Sequence, residues 1–169
     1  MVDVDMVIEG GPGWGVHRVT QKMVATDPAI VREAMDRTDN PLDRVGYAIA
    51  LGEIEEAKGY LAISPDTMRK KIFTGDIARE EGRYVDAARH FSLLLGEAVG
   101  TPHEAVVLQH HGKSLFMEGR YGEAVQYLTT ALDGLEADGR DEMAIVYTKC
   151  ALDEARRRIA QDGAAEERA

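Results

Sequence analysis

The segment Glu81-Gly82-Arg83-Tyr84-Val85-Asp86-Ala87 returns as Glu118-Gly119-Arg120-Tyr121-Gly122-Glu123-Ala124, with five of seven positions identical and a sixth exchanging one acid for another. The two copies stand 37 positions apart, counted from Gly82 to Gly119. A weaker third copy, Gly52-Glu53-Ile54-Glu55-Glu56-Ala57, keeps the glycine, a large apolar residue two places on and the alanine three places after that. Self-similarity at a period of roughly 20–50 residues marks supersecondary units that bury their apolar faces against one another, so architecture constrains this chain before any chemistry does.

The punctuation between the copies is helical. Asp27-Pro28, Asn40-Pro41, Ser64-Pro65 and Thr101-Pro102 each set an oxygen-bearing cap before a proline. The cap accepts an orphan backbone N–H, and proline has none to leave unpaired in the first turn. Thr101 is joined by Glu104 three residues on, which predicts a capping box. Gly52, Gly82 and Gly119 stand where each helix must stop, since glycine takes the left-handed backbone without a Cβ clash. These signals predict a short helix over 28–37 and helix pairs 41–51 with 53–63, 65–81 with 84–99, and 102–118 with 121–136.

After Asp138-Gly139, the stretch 140–161 carries Met143, Val146, Tyr147, Cys150, Ala151 and Ala155 at helical spacing and reads as a capping helix, with 162–169 a frayed polar tail. Residues 1–26 read as an extended, Gly-rich arm outside a helical domain spanning 27–161. In that arm Val2-Asp3-Val4-Asp5 alternates like a short strand, and Gly10-Gly11-Pro12-Gly13-Trp14-Gly15 fits no helix. Trp14 reads as an apolar anchor that docks on the chain's own helices or on a neighbouring subunit.

Small residues recur where helices must approach closely. Gly75 and Gly112 lie seven residues before the turn glycines, and Ala87 and Ala124 five residues after them. Tyr84 and Tyr121 open the second helix of each pair and are placed to cover the turn, while Phe91 and Leu128 continue the stripe facing the partner helix. This arrangement resembles the tetratricopeptide repeat (TPR), a helix–turn–helix unit of about 34 residues. The resemblance is best over 68–136 and partial over 38–67. Lys71 replaces the family's leading aromatic, and Thr74 and His111 occupy a position usually held by leucine.

The resemblance implies an all-α fold: a TPR-like helix–turn–helix solenoid of about three helix pairs, plus a C-terminal capping helix and an irregular N-terminal arm. It also implies a non-catalytic scaffold or adaptor that holds a peptide or a partner's helix in the groove lined by the first helices. Carried over position by position, that groove falls on Arg69, Ile72, Asp76 and Arg79, then on Val106, Gln109, His110, Lys113 and Phe116. Asp76 and Arg79, three apart, could equally pair with each other along the helix. Members that clamp a chaperone's acidic terminus place lysine and asparagine where Leu42 and Gly46 stand, so that partner is not expected.

Other classes find less support. Acids exceed bases by 10, 30 against 20, which disfavours nucleic acid. No apolar run spans a bilayer, the N-terminal residues do not read as a secretory signal, and the lone Cys150 fits a reducing compartment, so a cytoplasmic location without membrane association is expected. Cys150 sits on an apolar stripe and reads as a buried small hydrophobe. His103 and His110 are seven apart on one helix face with Glu104 and His111 nearby, but nothing local completes a metal site. The Gly-rich stretch lacks the ending of a phosphate-binding loop, and no nucleophile with its base stands out. The expectation is therefore no enzyme, no cofactor and no metal, with a protein or peptide as partner. The rivals are a self-associating module that dimerises through its end helices and, further off, a small-molecule or metal sensor at His110.

Overall fold

The structure is a computed structural model and describes residues 3–139 and 141–166. Most of these residues are helical: α1 (Pro28–Arg37), α2 (Pro41–Leu51), α3 (Ile54–Ala62), α4 (Met68–Glu80), α5 (Tyr84–Ala98), α6 (Glu104–Glu118), α7 (Tyr121–Asp138) and α8 (Glu142–Glu166). Three short strands precede them: β1 (Val7–Gly11), β2 (Trp14–His17) and β3 (Met23–Ala25). The chain divides between Arg83 and Tyr84 into two compact units. The division falls inside the span 27–161 expected as one domain, because a cluster around Val45 and another around Leu128 each gather a separate core.

Helices α2, α4 and α6 stop in the same way. Gly52, Gly82 and Gly119 have φ of 77°, 79° and 89°, which a side chain would strain. The next N–H then reaches back five residues, from Glu53 to Ala48, Arg83 to Ala78 and Arg120 to Leu115, each at 2.9 Å. This double closure satisfies carbonyls that a helix end otherwise leaves bare.

The starts agree only in part. Asp27 accepts from the N–H groups of Ala29 and Ile30, and Asn40 from that of Leu42. Ser64 does not cap the helix expected of it, since α4 begins at Met68 under Thr67; Thr101 Oγ1 does accept from the His103 N–H at 3.2 Å, but α6 begins only at Glu104. Both hydroxyls close the preceding helices, Ser64 donating to the Tyr60 carbonyl at 2.8 Å and Thr101 to that of Ala98 at 2.6 Å. Glu104 still reaches backwards, but it accepts from the Gly100 N–H at 2.8 Å, so the capping box does not form.

In the first unit the strands form an antiparallel meander in the order β1-β2-β3, with Ile8 opposite Val16 and a bulge between Glu9 and Gly11. The irregular N-terminal arm is thereby corrected. A Cβ on Gly15 would lie 2.2 Å from the Ile8 carbonyl oxygen, so the glycine that argued against helix is what lets two strands close. The Val2–Asp5 alternation is no strand: Val4–Met6 is a single 3-10 turn, and Val2 lies outside the described residues. At the opposite end of the chain, α8 runs through Glu166, past the expected start of a frayed tail at 162; residues 167–169 and Arg140 lie outside the described residues.

The second unit packs α5, α6, α7 and α8 consecutively, with α8 also against α6. Ala88, Leu115, Phe116, Ala124, Leu128 and Ala151 meet in its core. A Cβ on Gly112 would stand 2.7 Å from Leu128 Cγ and 3.2 Å from its backbone nitrogen, so α6 and α7 approach through that gap, as the spacing predicts. Gly122, in α7, has nothing within 4 Å of the same construction. Gly112→Ala is therefore expected to cost about 1–3 kcal/mol by overpacking. Gly122→Ala should stabilise by about 0.4–1 kcal/mol through lower chain entropy. Urea titrations of both variants beside the parent check the opposite signs.

Candidate functional site

In the first unit, the residues expected to line a groove are engaged with their own chain. Arg69 pairs with Asp43 at 2.7 Å and its guanidinium lies 5.5 Å from the centre of the Phe73 ring. Ile72 is half-buried. Asp76 and Arg79 are each 3% exposed and form an ion pair at 2.7 Å, the intrahelical alternative that their spacing allows. Nε and Nη1 of Arg79 make no hydrogen bond among the described residues. Removing Asp76 strands the buried Arg79 guanidinium, which costs about 3–5 kcal/mol.

The second unit absorbs its share as well. The Gln109 amide donates to the Ala144 carbonyl at 2.9 Å and to Thr148 Oγ1 at 2.7 Å, tying α6 to α8. Phe116 belongs to the core and sits 5.4 Å from the Tyr121 ring. Lys113 is buried, Val106 half-buried, and the His110 ring lies 5.5 Å from that of Phe91. The expectation that Gln109 and Phe116 face a partner is corrected, and the reason is visible along α6. Its buried residues run almost unbroken from Val107 to Phe116, so the helix is enclosed on nearly all sides and has no free polar stripe.

His111 stands where the resemblance puts leucine and behaves accordingly. It is buried, packed edge-on against Tyr127 with ring centres 4.3 Å apart, and its Nδ1 has no partner among the described residues. Burial pushes its pKa below the ordinary value, helped by the charge of Arg120 and opposed by a hydrogen bond with the Ala88 backbone. A base with a depressed pKa in the folded state leaves the unfolded chain to take up the proton first. The stability it protects is therefore complete above about pH 6.5 and is lost as pH falls towards the folded value. His111→Gln should remove that acid-side loss, so the difference in urea midpoint between pH 7.5 and 5.5 is expected to shrink relative to the parent.

His103 and His110 gain no completing ligand: among the described residues no group of three or more His, Cys, Asp or Glu is placed to hold a metal ion. Cys150 is half-buried. Among the described residues no helix is long and apolar enough to cross a membrane.

The open surfaces lie elsewhere. In the second unit a cavity of about 530 Å³ is lined by Ala105, Leu108 and Leu135 together with Glu104, Asp133 and Asp138, and none of its described lining residues is basic. In the first unit a cleft of about 560 Å³ runs from β3 past Pro28 to the turn between α2 and α3. Lys22 meets Glu80 there at 3.6 Å, and Arg32 of α1 bridges Glu53 and Glu56. A smaller cavity of about 170 Å³ separates Trp14 and Met23 of the sheet from Gly46, Tyr47, Arg69 and Phe73 of α2 and α4. Trp14 is half-buried and lines that cavity, which lies between it and the helices of its own unit. The strands, and the packing of β3 on α2, are what sequence reasoning missed; the available signal was a Gly- and Pro-containing turn between the apolar residues Ile8 and Val16.

Comparison with protein-family models, curated proteins and solved structures finds no match to this chain.

Proposed function

We propose that this chain is a non-catalytic protein-binding module built from tetratricopeptide-like helical hairpins, recognising a polypeptide through the first helices of those hairpins. The observation that carries the reading is the recurrence of one design: the left-handed stops at Gly52, Gly82 and Gly119 are each followed five residues later by an alanine, Ala57, Ala87 and Ala124, that is 0% exposed. Residues repeated for packing leave surface as the chain's working part, and recognition by surface needs no catalytic group. In the first unit the available first-helix face is that of α2 and α4 around Gly46, Arg69 and Phe73. In the second, the acidic cavity beside α6 suits a basic segment.

Self-association has one observation in its favour. Met143 and Val146 on the last helix are 37% and 42% exposed, and an uncovered apolar strip on a terminal helix favours stacking of copies.

Capture of partners from a native lysate on the immobilised full chain tests the proposal, with Arg69→Glu and Asp133→Lys as variants. Arg69→Glu or Asp133→Lys is expected to weaken retention of a partner at least tenfold, about 1.4 kcal/mol. Retention that is equal on all three chains moves recognition off these surfaces. No retained protein, together with dimers in a sedimentation series, replaces the proposal with the stacking module.

A further inference from the structure

The sheet of the first unit ends in an open edge. In the order β1-β2-β3, strand β3 is paired on one side only, and that pairing alternates. The His17 N–H donates to the Lys22 carbonyl at 2.9 Å and the Thr26 N–H to the Gly13 carbonyl at 2.7 Å, so residues 22, 24 and 26 are the ones bonded towards β2. Met23 and Ala25 lie opposite Val16 and Trp14 at the intervening positions, and their N–H and C=O groups therefore point away from β2. Neither residue takes another backbone partner among the described residues.

That edge borders the cleft of about 560 Å³. Lys22, Met23, Val24 and Ala25 all line it. Side chains of successive strand residues point to opposite faces, so four in a row border one space through the edge of the strand. The far wall is apolar, formed by Ala50, Leu51 and Ile54 at the turn from α2 to α3. Glu53 lines the cleft beside them. Arg32 holds one of its carboxylate oxygens, and the other, Oε2, is shielded from solvent with no hydrogen-bond partner among the described residues.

Backbone donors and acceptors spaced two residues apart, an apolar wall and an orphan acceptor together describe another extended chain. We propose that β3 is a strand-addition site, and that its occupant is an extended segment of a partner protein that joins the sheet as a fourth strand. The register gives the pattern of that segment. Met23 packs against the cluster that contains Val45, so the face of the sheet carrying Met23 and Ala25 is the one turned to α2. Residues of the incoming strand opposite those two share that face and are apolar, while the residue between them faces away from α2. A donor elsewhere on the segment satisfies Glu53 Oε2. The shortness of β3, and Lys22 at its start, keep the edge from pairing indiscriminately. This site is distinct from the first-helix surfaces at Arg69 and Asp133, so the loss of either reading leaves the other intact.

Amide-resolved magnetic resonance on the isotope-labelled full chain tests this. The probes are blocked pentapeptides of alternating sequence, Thr-Val-Thr-Val-Thr and its counterparts with leucine or phenylalanine in place of valine. At least one is expected to bind saturably, shifting the amides of Met23 and Ala25 and slowing their exchange with solvent by about tenfold or more. Only alternate N–H groups of an added strand face β3, so N-methylation at both apolar residues and N-methylation at the intervening threonine should differ in affinity by about tenfold. Ala25→Pro removes an outward N–H without touching the bonds to β2 and should weaken binding by a similar factor. Equal affinities of the two methylated peptides overturn the proposal, as does the absence of saturable binding by any of the three sequences at millimolar concentration. Should Ala25→Pro fail to fold, the methylated pair decides on the parent. Protection of the Met23 and Ala25 amides that grows with protein concentration in the absence of peptide seats a second copy on β3 and overturns the assignment to a partner.

Discussion

A left-handed glycine followed five residues later by a buried alanine is the constraint on which the helical part of this chain depends. The glycine ends the first helix within one residue and returns its carbonyls to partners, and after Gly52 and Gly119 the next helix packs back on the one just closed. The alanine is small enough to be sealed completely where the second helix meets its neighbours. Between α6 and α7 the approach is close as well: a Cβ on Gly112 would stand 2.7 Å from the Leu128 side chain and 3.2 Å from its backbone nitrogen. Side chains further along the helices can vary, as they do between the copies, because the turn and the close approach have already set where the helices lie.

Repetition made the helical framework legible, and it also explains what stayed hidden. Helix stops at Gly52, Gly82 and Gly119 and the burial of Ala87 and Ala124 follow from local backbone and size requirements that any reader of the chain can apply. The sheet depends on pairing Ile8 with Val16 and on Gly15 lacking a Cβ at one carbonyl, a non-local condition that residue composition alone presents as irregular chain. Ser64 carried the right signal for capping and spent it on the carbonyl behind it, whereas Thr101 serves both the Ala98 carbonyl behind and the His103 N–H ahead. The groove residues were hardest. Asp76, Arg79, Gln109 and Lys113 are polar residues on helices, and polarity argues for solvent until tertiary packing shows that they are enclosed.

Those enclosed polar groups bear on specificity. The Gln109 amide can satisfy both the Ala144 carbonyl and Thr148 only in one register of α6 against α8, so a slipped helix would bury an unpaired donor. The Asp76–Arg79 pair similarly ties burial of α4 to the presence of both charges. Apolar contacts would hold such helices together in several arrangements. Polar contacts of this kind penalise the wrong ones, which suits a chain whose near-identical segments could otherwise exchange places.

Helix α8 outlasts the core it belongs to. No described side chain beyond Ala155 is buried, yet the helix continues to Glu166, roughly 16 Å further at about 1.5 Å per residue. At its base Glu154 pairs with Arg157 and Arg158. A spin label or fluorophore fixed at an exposed position on the overhang would report on the second unit without disturbing a packed contact.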